Sequence, residues 1–333
     1  MRTGSARAMA ARARGANEGV MMVEETKPSG GIGIDVGGSK IAGVVIEPSG
    51  SVVARKRVPT PREGGDAVVE ACIAVASELL ELAAAGGITV GPLVIGMPGT
   101  VDSVRGVVRD SPVLKMVDCE VVAEVQSAVG HPTTVVHDVK AAAFGELTAG
   151  AGIGQADVAY LNIGTGVSMS FVFDWQVHRG VNGLAGEIGH VQATPDGVRC
   201  NCGRYGCLET VASGPAIARA AGITVGGVEA VATAAAAGDD RAVEAIRGAA
   251  GHLGRVLADY LTVLDLQLLM VGGGVAEVGP LLLDGVQAAI DAQLADVAAS
   301  VRVVPAALGA ESGVLGAAHR SRLLRDDRRT TRW

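Results

Sequence analysis

Two segments of this chain share one design: a short apolar strand, a turn built of glycine, and a second strand. The first runs Gly31-Ile32-Gly33-Ile34-Asp35-Val36-Gly37-Gly38-Ser39-Lys40-Ile41-Ala42-Gly43-Val44-Val45-Ile46, and the second is Tyr160–Val172 with Gly164-Thr165-Gly166 at its turn. Each reads as a β-hairpin. A third glycine turn, Gly272-Gly273-Gly274, ends the apolar run Leu268–Val271 and leads toward a helix-like segment, Pro280–Ala298. Glycine turns at strand ends in both halves constrain the chain to two similar α/β lobes with one nucleotide held between them. The repeat is one of layout: hairpin, further strands, helix, twice.

Composition narrows the class. The chain has 333 residues, 49% of them hydrophobic, with 48 glycines and only 2% aromatics. That mixture describes an Ala/Val/Gly core with many tight turns, and the length suits a two-lobed enzyme. The net charge of −7 argues against a nucleic-acid surface, which needs clustered Lys and Arg. No run approaches the roughly 18 apolar residues that span a bilayer. Residues 1–30 carry Arg2, Arg7, Arg12 and Arg14 among Ala and Gly without hydrophobic period, so they read as a disordered tail lacking a signal peptide, with Met21 or Met22 as an alternative start. The segment Arg320–Trp333 is charged and reads as a fraying end.

The first glycine turn is not a P-loop, because the spacing fails and no helix follows directly. An aspartate at a strand end beside Gly-Gly-Ser, as at Asp35, suits a loop whose amides approach phosphate while the carboxylate faces a hydrated cation. The same Gly-Gly also makes an ordinary hairpin. Between the two hairpins, Thr134-Val135-Val136-His137-Asp138 is a strand running into an Ala-built helix. Asp138 there is either a plain N-cap or, at a strand end near the domain crossover, a catalytic carboxylate.

Cys200, Cys202 and Cys207 stand as C-x-C-x4-C, with His190 ten residues before the first. This is a Cys3His set suited to structural zinc. A disulfide plus a spare thiol is the alternative, but C-x-C is too short for an easy bridge, and without a secretory signal a reducing cytosol is expected. Glu187 and Glu209 flank the set. Cys72 falls in the helical run Ala67–Ala85 and reads as a small core residue, and Cys119 has no partner pattern.

Eight stretches in this order resemble the ROK group of bacterial repressors, open reading frames and sugar kinases, within the actin-like ATPase clan. They are GIDVGGSKIAGVV at 33–45, GMPGTVD at 96–102, HDVKAAAFGE at 137–146, NIGTG at 162–166, GLAGEIGH at 183–190, CNCGRYGCLE at 200–209, VGGGV at 271–275 and LGAESGVLGAA at 308–318. The resemblance implies a two-lobed actin-like (ribonuclease H-like) α/β fold with a central nucleotide and sugar cleft. Its small lobe would be 31–137 plus a C-terminal helix at about 311–325, and its large lobe 138–310, carrying the zinc-binding loop.

The activity implied is ATP-dependent phosphorylation of the 6-hydroxyl of glucose or a close relative, in a cytoplasmic homodimer using Mg²⁺ with ATP and structural Zn²⁺. Asp138 would be the general base. His137, Glu187, His190 and Glu209 would bind the sugar, with His190 also on zinc beside Cys200, Cys202 and Cys207. Asp35, Gly37, Gly38, Ser39 and Lys40 would form the first phosphate turn and Gly164, Thr165 and Gly166 the second, with Gly272, Gly273 and Gly274 bordering the adenosine.

Glucokinase-type members carry asparagine where this chain has His137 and Lys140, and a further one where it has Val113. Ser168 and Ser170 stand where glycine is common. Exchanging an amide for imidazole or valine changes which hydroxyls, amines or keto groups are tolerated. A kanosamine-type aminohexose or a C7 cyclitol is therefore an alternative acceptor to glucose. The alternatives of another class are a sugar-sensing regulator and a sugar-binding pseudokinase. Regulators carry a winged helix–turn–helix before a degraded first turn, whereas here the preceding residues lack helical period and Asp35–Gly38 is kept. His137 and Lys140 favour the pseudokinase; an intact Asp138 opposes it.

Overall fold

The computed structural model describes residues 29–294 and 301–324. Residues 1–28 of the N-terminal tail, the alternative starts Met21 and Met22, the end of the Pro280–Ala298 segment beyond 294 and the last nine residues lie outside them. Against expectation, Ser29 bonds the Arg322 carbonyl, Gly30 bridges Val90, and the end expected to fray from Arg320 is helical through Leu323. In the first half, β1 (Gly31–Val36), β2 (Lys40–Ile46) and β3 (Val52–Pro59) form an antiparallel meander. Helix α1 (Asp66–Ala85) returns the chain to β4 (Leu93–Met97), parallel to β1. A small sheet of β5 (Thr100–Asp102), β6 (Val107–Ser111) and β7 (Met116–Cys119) follows, then α2 (Val121–Val129) and β8 (Thr133–His137), parallel to β4.

Helix α3 (Asp138–Ala149) opens the second half. There β9 (Val158–Ile163), β10 (Val167–Phe173) and β11 (Gln176–Val177) form a second meander. Helices α4 (Glu209–Ala212), α5 (Gly214–Ala221), α6 (Gly227–Ala236) and α7 (Asp240–Val263) lead to β12 (Leu268–Gly272). The chain ends through α8 (Pro280–Leu294), β13 (Arg302–Pro305) and α9 (Ser312–Leu323).

The repeat expected from the glycine turns is present in the strand order. One sheet runs β3-β2-β1-β4-β8 and the other β11-β10-β9-β12-β13, each an antiparallel meander joined to two parallel strands. This is the two-lobed actin-like architecture. The last strand of each sheet feeds a helix that covers the other sheet. From β8, α3 packs Val139, Ala143, Phe144 and Leu147 with Val158, Tyr160 and Met270 of the second sheet. From β13, α9 packs Val314, Leu315 and Ala318 with Val44 and Ile46 of the first. Helix α1 closes the opposite face of the first sheet, where Cys72 is fully buried and burial pushes its thiol up to about 12. Cys72 is thus the unreactive core residue expected from the sequence.

The two exchanged helices cross at glycine. A Cβ at Gly316 would overlap the Ala141 carbonyl, and one at Gly145 the Ser312 carbonyl, so the backbones themselves are in contact. Glu146, fully buried beside the crossing, accepts from the N–H groups of Ala151, Ala307 and Leu308 at 2.9, 2.9 and 2.8 Å, and from Ser312 Oγ at 2.7 Å. Three of these donors, on Ala307, Leu308 and Ser312, fix the chain leaving β13 against α3, and the fourth closes the end of α3 itself. Gly316→Ala forces this packing apart and is expected to destabilise by about 1–3 kcal/mol. Thermal unfolding checks it: a midpoint equal to wild type would show that the crossing relaxes without cost.

Candidate active site

The parallel strands β1, β4 and β8 point their C-terminal ends at one cleft. Asp35 comes from the end of β1, in register with Gly96 on β4. Its carboxylate occupies a slot between two residues without side chains: a Cβ on Gly96 would lie 3.3 Å from Oδ1 and one on Gly313, in the first turn of α9, 2.8 Å from it. Asp138 faces the same cavity of about 130 Å³, with Tyr160, Asn162, Gly273 and Ser312 around it. Burial raises Asp35 to about 7, the Asp138 charge adds to this, and Lys40 partly offsets it. Two carboxylates facing one cavity are the oxygen donors a divalent cation wants, and the cavity has room for an ion with several waters. The residues fit Mg²⁺.

His137 ends β8 and Asp138 starts α3, which refines the sequence expectation: the capping position belongs to His137, and Asp138 is the first helical residue. Asp138 Oδ1 lies 3.0 Å from His137 Nδ1 and accepts from Val139 N–H at 2.7 Å, whereas Val139 N to Nδ1 is 3.2 Å. With the proton on Nδ1, both Nδ1–H and Val139 N–H donate to Oδ1 and every atom is satisfied. That tautomer leaves Nε2 an acceptor. Burial lowers the His137 pKa, Asp138 and Glu187 oppose this, and Lys140 adds to it, so the imidazole is neutral at pH 7.

Lys140 stands where glucokinase-type members carry asparagine, and the sequence assigns it no role of its own. It is buried, and its Nζ donates to the Gly183 carbonyl at 2.7 Å, reaching from α3 to the loop that carries Glu187. Burial draws it down to about 8, Glu187 and Asp138 hold it up, and Arg179 opposes them. A lone lysine among alanines at the start of a helix was the available signal.

The second glycine turn lies between β9 and β10. Gly164 N–H bonds the Gly166 carbonyl at 2.9 Å, and Gly214 N–H ties the turn to α5 through the Gly164 carbonyl at 2.8 Å. Glu209 leans on this turn, its Oε2 accepting from Val167 N–H at 3.3 Å. Beside it opens a cavity of about 700 Å³, where Gly164, Thr165 and Gly274 meet the apolar walls Pro215, Ile223, Val228 and Val275. Gly273 has φ +85° and no room for a Cβ against the Ile163 backbone, so the turn after β12 must be glycine for the strands to close here. This cavity has the size and lining of a nucleoside site. Its walls on α5 and α6 were missed in the sequence; the Ser213-Gly214-Pro215 helix start was their trace.

The first turn stands apart from that cavity. Gly37 N–H bonds the Lys40 carbonyl at 2.9 Å, Thr60 N–H the Ser39 carbonyl at 3.2 Å, and Thr60 Oγ1 the Gly37 carbonyl at 2.6 Å. Val113, exposed in the turn between β6 and β7, covers Gly38: a Cβ there would lie 2.6 Å from Val113 Cγ1.

The four metal-ligating candidates converge. The donor atoms of His190, Cys200, Cys202 and Cys207 all lie within 4.8 Å of one another, with Cys202 Sγ–Cys207 Sγ at 3.6 Å and Cys200 Sγ–His190 Nδ1 at 3.7 Å. Sulfurs around a tetrahedral zinc with Zn–S of about 2.3 Å stand about 3.8 Å apart. All three cysteines are free thiols. A hydrogen bond from the Arg204 backbone N–H draws Cys202 down to about 6, while burial pushes Cys207 up to about 12. A zinc ion held among them would deprotonate all three. The donor set fits zinc, and because Nδ1 faces the cluster, His190 keeps Nε2 away from it.

No helix among the described residues is long and apolar enough to cross a membrane. The model of the ROK family matches residues 31–322. The glucokinase of Streptomyces coelicolor is 33% identical over 315 residues, spanning 87% of this chain and 97% of that protein. The N-acetylmannosamine kinase of Escherichia coli K12 is 33% identical over 300 residues, spanning 86% and 96%. Among solved structures, a ROK family glucokinase from Streptomyces griseus in complex with glucose and AMPPNP superposes with a TM-score of 0.76 at 32% identity, covering 88% of this chain and 99% of that one.

Proposed function

The chain belongs to the ROK family, and from that premise we propose that it is a sugar kinase that transfers the γ-phosphoryl group of ATP to the 6-hydroxyl of glucose or a closely similar sugar. The observation that carries this reading is that Asp35 and Asp138 face one small cavity whose rim, Gly273, adjoins the nucleoside-sized pocket at Gly274. Asp138 accepts the hydroxyl proton, the freed oxygen bonds the γ-phosphorus, and the bond to the bridging oxygen breaks to release ADP. His137 and the Val139 N–H hold the Asp138 carboxylate in place by bonding Oδ1, leaving Oδ2 for the proton. Mg²⁺, when bound at Asp35, supplies neutralisation of charge on the phosphates. Gly164, Thr165 and Gly166 line the path of the phosphates, and the Gly37–Lys40 turn approaches them from the other lobe.

Glu187 and Glu209 accept from sugar hydroxyls, His190 Nε2–H donates to one, and zinc on His190 Nδ1 and the three cysteines would hold their loop in shape. The lobes in this reading are 31–137 with α9, and 138–310. A cytoplasmic homodimer completes it; sedimentation tests the dimer. The intact Asp138 favours catalysis over a sensing role.

A coupled ADP-release assay with Mg-ATP across glucose, mannose, N-acetylmannosamine, N-acetylglucosamine, kanosamine and a valiolone-type cyclitol tests the proposal. Turnover of at least one is expected; silence on all, with sugar binding intact, would turn the reading to a regulator or pseudokinase. His137→Asn replaces the acceptor Nε2 with an amide and is expected to shift kcat/KM toward glucose by about tenfold. An unaltered substrate profile would remove His137 from the specificity set.

A further inference from the structure

Lys140 is a buried cation that the phosphoryl-transfer step does not use. It is 4% exposed, and one N–H of its ammonium is committed to the Gly183 carbonyl at 2.7 Å. Among the described residues no carboxylate comes within the 4.0 Å of an ion pair. An ammonium has three donors and no acceptor, so two N–H groups remain without a protein partner. Burying a charge in this state is costly unless something else supplies oxygen. The geometry puts this ammonium beside the proposed acceptor site: Lys140 stands two residues after Asp138, and the Gly183 carbonyl it bonds lies four residues before Glu187 on the same loop.

We propose that Lys140 is a specificity-determining residue of the acceptor site, offering its two remaining N–H groups to an oxygen of the sugar, so that the site takes a neutral hexose or cyclitol and bars an aminosugar cation. The inference rests on the sugar-kinase reading. Several groups set the charge of this space: Asp138 and Glu187 are negative, Lys140 and Arg179 positive, and His137 neutral. A sugar ammonium could otherwise balance Glu187, but Lys140, bonded to Gly183 on the same loop without pairing with that carboxylate, already puts a cation in this space and repels a second one. Gly183, with φ +78°, lies four residues before Glu187, so the same lysine also fixes the loop that presents this carboxylate.

The test compares glucose with 2-amino-2-deoxyglucose and 3-amino-3-deoxyglucose at pH 7, by kcat/KM and by calorimetric binding, in the wild type, K140M, K140N and K140R. Wild type is expected to prefer glucose over each aminosugar by at least about tenfold, a modest part of what a desolvated like-charge pair costs. K140M and K140N should each narrow that ratio at least about fivefold, and K140R should keep it. An unchanged ratio in K140M and K140N, or a wild type that does not discriminate, overturns the proposal. Thermal melts of each variant show which are folded; if K140M unfolds, K140N carries the comparison, and K140R must still discriminate. If no protein turns over any sugar but calorimetry shows glucose bound, the kinase reading fails and the binding ratios still decide Lys140. If wild type binds no sugar, both fall.

Discussion

Asp138→Asn is expected to lower kcat by about 10³ while leaving the sugar KM within a few-fold of wild type, because a positioned base contributes ~10²–10⁴ to such a step. The substitution isolates the proton-accepting role. An amide oxygen at the Oδ1 position still accepts from Val139 N–H and from His137 Nδ1–H, the two bonds that orient the side chain. The start of α3, and hence the fold, should survive. Glu187, His190 and Glu209 are untouched, so a sugar should still bind, measurable by calorimetry without nucleotide. Removing the charge also takes away one of the two causes that raise Asp35, so Asp35 should titrate lower in the variant. Turnover near the wild-type rate would strike Asp138 from the role of base.

Loss of the metal is the second large effect. Wild type is expected to contain one zinc per chain and Cys202→Ser less than about a tenth of that, with a sugar KM raised at least about tenfold. The segment between Ile188 and Leu208 has few other anchors. Its ordered structure consists of two isolated bridges, Gln192–Cys207 and Arg199–Tyr205, and short turns. Of its side chains, Cys200 and Cys207 are among the few that are buried. A loop with so little apolar packing takes its stability from the metal, and structural zinc supplies about 10–16 kcal/mol in small domains. The same loop ends in Glu209, which bonds the second glycine turn, so the damage should reach the phosphate path as well. Cys202 is the exposed member of the set, so its change to serine costs little packing. Metal content equal to wild type would sink the zinc assignment.

What could be read from the residues was whatever leaves a local mark. Hairpins announce themselves through glycine between β-formers, and both expected ones stand in register as written, Gly33 opposite Val44 and Leu161 opposite Met169. Cysteines at ligand spacing need only a short loop to meet, and they do. Asp138 was legible because a strand-to-helix junction is a local event. Lys140 reaching Gly183, Val113 lying over Gly38, and the α5–α6 walls of the nucleoside cavity were not legible, since each depends on where distant segments pack. The small β5–β7 sheet was hidden for another reason: its strands are short, and Lys115 and Asp118 within it take positive φ without being glycine. The resemblance implied a C-terminal helix joined to the first lobe, but not its seat on β1, which Gly31 and Gly33 mark: a Cβ on either would overlap backbone of α9.

The glycine crossing of α3 and α9 makes a fulcrum, and Asp138, the carboxylate proposed as base, stands at the end of its arm. Asp138 lies seven residues upstream of Gly145, about 10 Å along the helix. A tilt of about 5° at the crossing therefore swings that end of the helix by about 1 Å, a displacement that can cost ~10²-fold in rate. Bulk added at Gly145 or Gly316, remote from every substrate, thus acts with mechanical gain on the distance between a base and its proton. Such a variant should lose more in kcat than its melting temperature suggests.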